Sequence, residues 1–515
     1  MKKFFALTCL GFILLLAAMA PPAGAADPAK KVLNFGNFGN IDGLDPAVDW
    51  DSWYVVRAGM GECLIKFDKN MTNQPWLATS WSVADDKLTW TFKIREGVKF
   101  SNGNPLDAEA VKKNFERVLE KARARFESEF FKYEFIEANG QDLIIKTAVP
   151  APGLPGMLGD PLFMVIDVAT VTDAIAAKGG DATGPYKFVS LENGVLKLTR
   201  NDLYWGGRPP FDEVNLVSIP DPNTRSMALQ NGDIDITTNT SATDMPVFMN
   251  NPDFVAEETE GVRVVMAYMQ NAKGLADPNL RKAVKAGLDL RVYADKVLGG
   301  RYSPAKGPLP GVLGYGFDTL VDPYAHDPAK AKALLADAGY SDSDGDGFVD
   351  KDGKPLEIGF TYYATRAEFP LLAEATERSL KDVGIKVNLD QVESGVFGTK
   401  RKNGDFDILI MSVATAGTGD PQPFLVSHFE TGAFNNNGAY SNPEVDALFA
   451  SLKGEFDPDK RSEIIAKAQV ALLNDPGYIF YVYPKSNMVY AKKLVGVETL
   501  PVDFYWMNDK MDFKD

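Results

Sequence analysis

The chain has 515 residues, 45% hydrophobic and 24% charged, a balance that fits a folded globule and excludes a disordered or membrane-embedded chain. Its length exceeds what one core fills, so two or three domains are expected. A formal charge of −16 with no basic patch argues against nucleic acid or an anionic membrane surface as a partner.

In chain order, the first segment reads as a secretory leader. Lys2 and Lys3 supply a positive start, Phe4 to Ala18 an apolar run too short for a stable span, and Ala23-Gly24-Ala25 a small-residue cleavage site, so residues 1–25 are assigned as a signal peptide. Its removal takes the formal charge from −16 to −18 and predicts an exported, soluble protein. Cys9 lies inside the apolar run rather than just after it, which argues against a lipid-modified N-terminus. Cys63 then has no partner for an internal disulfide and reads as a small buried apolar residue. Val32 to Phe38 reads as an opening strand and Gly43-Leu-Asp-Pro46 as a turn. Trp50, Trp53 and Tyr54 cluster at a short helix that Ser52 is placed to cap and that carries Arg57. Such aromatics either pack a core or line a ligand cleft.

The stretch from Trp76 to Phe115 carries the strongest pattern in the chain. Leu88, Trp90, Phe92 and Ile94 alternate with Thr89, Thr91, Lys93 and Arg95, as a half-buried strand requires. Gly97 breaks it, a short strand is expected over Val98 to Phe100, and Asn102-Gly103 breaks that in turn. Asp107 is a good N-cap for a helix on which Val111, Phe115 and Leu119 recur at helical spacing.

This block, Trp76-Leu-Ala-Thr-Ser-Trp81, Thr89-Trp-Thr-Phe-Lys-Ile-Arg95, Gly97-Val-Lys-Phe-Ser-Asn-Gly103 and Asp107-Ala-Glu109, resembles the signature of the family 5 extracytoplasmic solute-binding proteins of ABC importers, the peptide and nickel group. Glu62-Cys-Leu64, Thr183-Gly-Pro-Tyr-Lys-Phe188 and Gly353-Lys-Pro-Leu356 resemble further landmarks of that family. The resemblance implies the two-lobed periplasmic binding protein type II fold in its large, three-subdomain variant, an α/β protein with the ligand cleft between lobes. It implies lobe I over residues 26–268 with an inserted subdomain at about 55–180, lobe II over 269–485, and a return to lobe I over 486–515. It also implies a periplasmic monomer that needs no cofactor, binds short peptides or nickel and other metal chelates, and delivers them to the transmembrane subunits of an ABC permease.

Past the signature, Leu143 to Val149 and Phe163 to Asp167 read as strands around a Pro- and Gly-rich loop, and Asn223 as the cap of a helix through Leu229. Val262 to Met269 reads as an apolar strand and a candidate crossing between lobes. Helices are expected at Asn279 to Leu288, at Asp327-Pro with Gly339 beyond its end, at Phe369 to Val383, and from Pro443 and Asp457-Pro. Ile385 to Val392 and Phe406 to Met411 read as strands, while Tyr478 to Tyr483 and Met488 to Tyr490 are expected to carry the chain back. Periodicity alone supports only an α/β or α+β protein of two or more domains.

Two histidines, His326 and His428, leave no paired metal motif, and no nucleophile elbow or phosphate loop is present. A secreted hydrolase using one of them is the alternative from another class, because triads are set by geometry rather than spacing. Asp342, Asp344 and Asp346 alternate ahead of Gly347, with Asp350 beyond, like the start of a calcium-binding EF-hand loop; Gly353 stands where a bidentate Glu belongs. The segment is therefore either a calcium loop, and the protein a calcium-dependent module, or a solvent-exposed hairpin turn.

For the solute, the resemblance is carried residue by residue. Peptide-binding relatives place an Asp a few residues before an Asp-Pro pair; here Thr415-Ala-Gly-Thr-Gly-Asp420-Pro421 has Gly417 at that point, with Thr415 and Asp420 as candidate contacts. Nickel-binding relatives hold a small carboxylate chelate with arginines; Arg123 and Arg125 flank the position of one of these. Arg366, His428 and Asn437 complete the candidate ligand set.

Overall fold

A computed structural model describes residues 30–48, 50–122, 132–241 and 243–514. The leader assigned to residues 1–25, and Arg123 and Arg125, lie outside the described residues.

A single hydrogen-bonded path of strands joins two halves. In the first, Val32–Asn37 lies between Glu213–Ser218, with which it pairs parallel, and Ile236–Thr238. In the second, the order is Lys386–Gln391, Glu357–Tyr362, Ile408–Ala414 and Arg263–Met269. The link is Tyr478–Ala491, a 14-residue strand whose start pairs with Arg263–Met269 and whose end pairs with Ile236–Thr238 and Phe254–Glu260. The sequence suggests two short strands here because Lys485-Ser-Asn487 interrupts the apolar pattern; those polar residues pair instead with Glu258 to Glu260 on a neighbouring strand, so the ladder is unbroken.

Each half buries its own core. In the second, helices Pro278–Ala286 and Glu368–Lys381 cover one face of the sheet through Val284, Phe369 and Leu372, and Pro443–Lys453 and Pro458–Asn474 cover the other through Val445, Phe449 and Ile465. Asp327 caps Pro328–Asp337 as its Asp-Pro pair predicts, its carboxylate accepting from Lys330 N at 2.9 Å. The signature block forms a separate four-stranded sheet, Ala78–Val83, Thr89–Ile94, Asp142–Thr147 and Tyr133–Asn139, packed on helix Ala108–Lys121. Trp90, Phe92 and Ile94 are buried there, as their alternation requires. Asp107 caps the helix by accepting from Ala110 N at 2.8 Å, a bond that stabilises a helix start by about 1 kcal/mol.

Four local expectations are corrected. Val98 to Phe100 makes only an isolated bridge, Lys99 to Pro105. Phe163 to Asp167 is not a strand: Asp160 and Pro161 start a 3-10 turn over Pro161–Phe163, and one bridge, Ile166 to Ala182, comes after it. Ser52 lies inside helix Asp51–Arg57, with Trp50 at the N-cap. Asp221, not Asn223, caps Pro222–Asn231, because Pro222 takes the first helical position and puts Asp221 ahead of it. Cys63 is fully buried, its thiol donates to the Asp160 carbonyl at 3.4 Å, and burial raises its pKa, so it is an inert core residue. Among the described residues no helix is long and apolar enough to cross a membrane.

Candidate functional site

In open α/β sheets, ligands bind beyond the carboxyl ends of the strands. Three such ends converge between the halves: Phe38 succeeds Val32–Asn37, Arg366 succeeds Glu357–Tyr362, and Thr415 to Asp420 succeed Ile408–Ala414. Where they meet, a charged floor is built from Arg57, Arg263, Arg366, Glu368 and Asp503.

Arg57 ends its helix and is 4% exposed. Its Nε donates to the Asp503 carbonyl at 2.7 Å and its Nη2 to the Asp503 carboxylate. The guanidinium lies 4.4 Å from the centre of the Trp506 ring and 5.0 Å from that of Trp53, with Phe38 and Tyr54 each at 5.7 Å. That aromatic cage is what a dehydrated guanidinium requires. Burial alone raises the Asp503 carboxyl, yet the charges of Arg57 and Arg263 hold it below the usual carboxylate range. From the other side, Arg366 Nη1 stands 3.5 Å from the buried Glu368 carboxylate.

The halves touch closely around this floor. A Cβ on Gly417 would lie 3.6 Å from Phe504, an ordinary contact, whereas one on Gly156 would come within 2.0 Å of the Thr418 carbonyl oxygen. Phe67, Met71, Val262 and Phe504 form a shared apolar seam.

Of the residues singled out in the sequence, Trp53, Tyr54, Arg57 and Arg366 come together here. Trp50 is 53% exposed and edge-on to Trp53 at 5.4 Å. Thr415 is buried, its hydroxyl donating to the Val262 carbonyl at 2.9 Å. Asp420 is paired with Arg461 at 2.5 Å and accepts from Gln422 N. His428 and Asn437 belong to a different region, behind the crossing strand near Tyr478 and Tyr268. Arg263, Glu368 and Asp503 were missed by sequence reading. For Arg263 a signal existed, a charge at the mouth of an otherwise apolar strand, Gly261-Val-Arg-Val-Val-Met266.

Neither histidine is placed as a general base. His428 Nδ1 is 3.1 Å from the Phe424 carbonyl and 3.0 Å from Ser427 Oγ. A carbonyl partner demands a proton on that nitrogen, which then has no lone pair for the serine. Burial pushes His428 down to about 4, and His326 sits on the surface facing Asp289 at 3.3 Å.

Asp342, Asp344 and Asp346 have carboxylate oxygens within 4.8 Å of one another, all exposed. Each is engaged in the turn itself: Asp342 accepts from Gly345 N and Gly347 N, Asp344 from Asp346 N, and Asp346 from Phe348 N. Asp350 is turned onto Ser343 instead, beside the small hairpin Asp350–Lys351 and Lys354–Pro355. Because backbone amides already satisfy these carboxylates, adding excess EDTA is expected to shift the melting temperature by less than about 1 °C in a thermal scan, whereas a cation bound a hundredfold above its Kd would add about 2.7 kcal/mol.

Against known proteins, residues 72–436 match the family described as bacterial extracellular solute-binding proteins, family 5 Middle. The chain belongs to this family. It is 28% identical over 504 residues to a probable D,D-dipeptide-binding periplasmic protein of Escherichia coli K12, covering 94% of each chain. It is 26% identical to the nickel-binding periplasmic protein of the same organism, covering 90% of this chain and 91% of that one. Among solved structures, NikA of Brucella suis, in complex with Fe(III)-EDTA, has a TM-score of 0.85 at 26% identity, covering 94% of this chain and 100% of that one. The two-lobed α/β fold expected from the signature is thereby established, and so is its class: these relatives are substrate-binding proteins of ABC importers, not enzymes.

Proposed function

We propose that this protein is the periplasmic solute receptor of an ABC importer, exported with its leader removed after Ala25, and that it closes two lobes over a short peptide or a small metal chelate and hands it to the permease. Residues 26–261 with 486–515 act as lobe I, its inserted subdomain at about 55–180, and 262–485 act as lobe II; the boundary falls before 268 because Arg263–Met269 pairs along its length with Ile408–Ala414 of the second half. Nickel or another metal enters as cargo only. Trp53, Tyr54 and Arg366 contact the solute, with Arg57 holding the floor beneath them, where its ring cage and Asp503 cover it, and Trp50 at the rim.

The observation that carries this reading is the meeting of Arg57 and Asp503 with Arg366 and Glu368 beyond the strand ends of both halves. Relatives named for D,D-dipeptides and for nickel bracket the solute class. The test is thermal-shift screening with dipeptides and with nickel–histidine chelates: a saturable rise in melting temperature with one class and no chemical change in it is expected, and turnover of the solute, or no response to either class, refutes the reading.

Closure itself has a separate test. Gly156 has an ordinary helical backbone, and with the halves as they stand here a methyl on it would come within 2.0 Å of the Thr418 carbonyl oxygen, so the lobes have to part for alanine to fit. Gly156→Ala is expected to weaken every solute by roughly tenfold or more in calorimetry, without lowering the solute-free melting temperature.

A further inference from the structure

Arg263 opens the strand Arg263–Met269 and is the unpaired member of the charged floor: Arg57 is bonded to Asp503 and Arg366 to Glu368, while Arg263 makes no side-chain hydrogen bond or ion pair among the described residues. It is partly open to solvent, yet protein surrounds it. Burial lowers its pKa, Asp503 and Glu368 oppose that, and Arg366 and Arg57 add to it. Three guanidiniums thus face two carboxylates, leaving one positive charge over. The adjoining loop supplies no spare counter-charge, since Asp420 is taken by Arg461 and residue 417 is a glycine lying against Phe504.

An unpaired guanidinium costs little while water reaches it and much when two walls shut over it. Its nearest like charges come from both sides of the cleft, so their repulsion grows as the cleft narrows and its dielectric falls. We infer that Arg263 anchors a carboxylate of the solute, and that its uncompensated charge opposes closure until that carboxylate arrives. The guanidinium fork fits a carboxylate by two parallel hydrogen bonds, and the resulting neutral floor removes the barrier to shutting. A peptide C-terminus and an amino-acid chelate of a metal share this chemistry. The inference rests on the solute-receptor reading above and adds to it the charge of the group that triggers closure.

The test uses the full mature chain and its Arg263→Gln and Arg263→Lys variants. Calorimetry compares alanyl-alanine with its C-terminal amide, and nickel with two equivalents of L-histidine against nickel chloride alone. The expected result is that one carboxylate-bearing probe binds, that its carboxylate-free counterpart binds at least about 30-fold more weakly, and that Arg263→Gln loses this discrimination. Arg263→Lys, which keeps the charge but not the fork, falls between. In small-angle scattering without solute, Arg263→Gln is expected to be more compact than the wild type and Arg263→Lys to match it. Equal binding of acid and amide, or of chelate and bare nickel, overturns the inference and leaves the receptor reading standing; so does discrimination that survives in Arg263→Gln. An Arg263→Gln protein no more compact than the wild type overturns the closure part. Binding of no probe overturns both.

Discussion

Arg57→Met is expected to destabilise the protein by about 2–3 kcal/mol, because it takes the bonded guanidinium from the Asp503 carboxylate, 31% exposed, and leaves beside it only the charge of Arg263, which is not bonded to it. Arg57 is 4% exposed and gives Asp503 two hydrogen bonds, one to its carbonyl and one to its carboxylate. The methionine keeps the stem packed against Trp53 and Trp506 but supplies neither donor nor charge. Urea denaturation is the measurement. The double variant Arg57→Met/Asp503→Asn, which removes the stranded charge as well, is expected to recover part of the loss. A single-variant loss below about 1 kcal/mol would mean that water already solvates the pair and that the floor is not an enclosed site.

The second large effect concerns pH. Glu62 is 1% exposed, and its Oε2 accepts from Thr183 Oγ1 at 2.6 Å and from Trp205 Nε1 at 2.9 Å. Burial raises its pKa from 4.5 to about 7, although these bonds favour the charged form. The folded state therefore holds a proton that the unfolded chain has released between those two values. Glu62's contribution is accordingly fully present below pH 4.5, is lost as the pH rises to about 7, and is constant above. The span corresponds to about 3 kcal/mol. Glu62→Gln keeps an oxygen to accept both bonds and cannot ionise, so the stability difference between variant and wild type is expected to grow across that window in the variant's favour. Denaturation midpoints at pH 4.5, 6 and 8 read it, and a difference independent of pH would show that Glu62 does not titrate there.

Glu62 also shows how far the sequence reaches. Glu62-Cys-Leu64, Thr183-Gly-Pro-Tyr186 and Tyr204-Trp205 stand out as separate short stretches. Only the fold reveals that one buried carboxylate ties them together across 121 and 143 residues. Arg57 and Arg366 are visible in the sequence as arginines at a helix end and past a strand end, but their partners Asp503 and Glu368 are not. Asp503 lies in a C-terminal segment with no periodic pattern, and Glu368 reads as an ordinary first-turn helix acid.

What the amino-acid order determined by itself was local and periodic. Alternation at Trp90, Phe92 and Ile94 set a half-buried strand, and Asp107 and Asp327 set helix starts, because each of these depends on residues within one or two turns of chain. The tertiary structure decided which charges meet. Arg57, Arg263, Arg366, Glu368 and Asp503 gain their meaning from a cleft whose walls come from the two ends of the chain and its middle, and whose low dielectric makes a single unmatched guanidinium count. Electrostatic energy in such a place depends on burial and on distance through space, and neither is written in the spacing of residues along the chain.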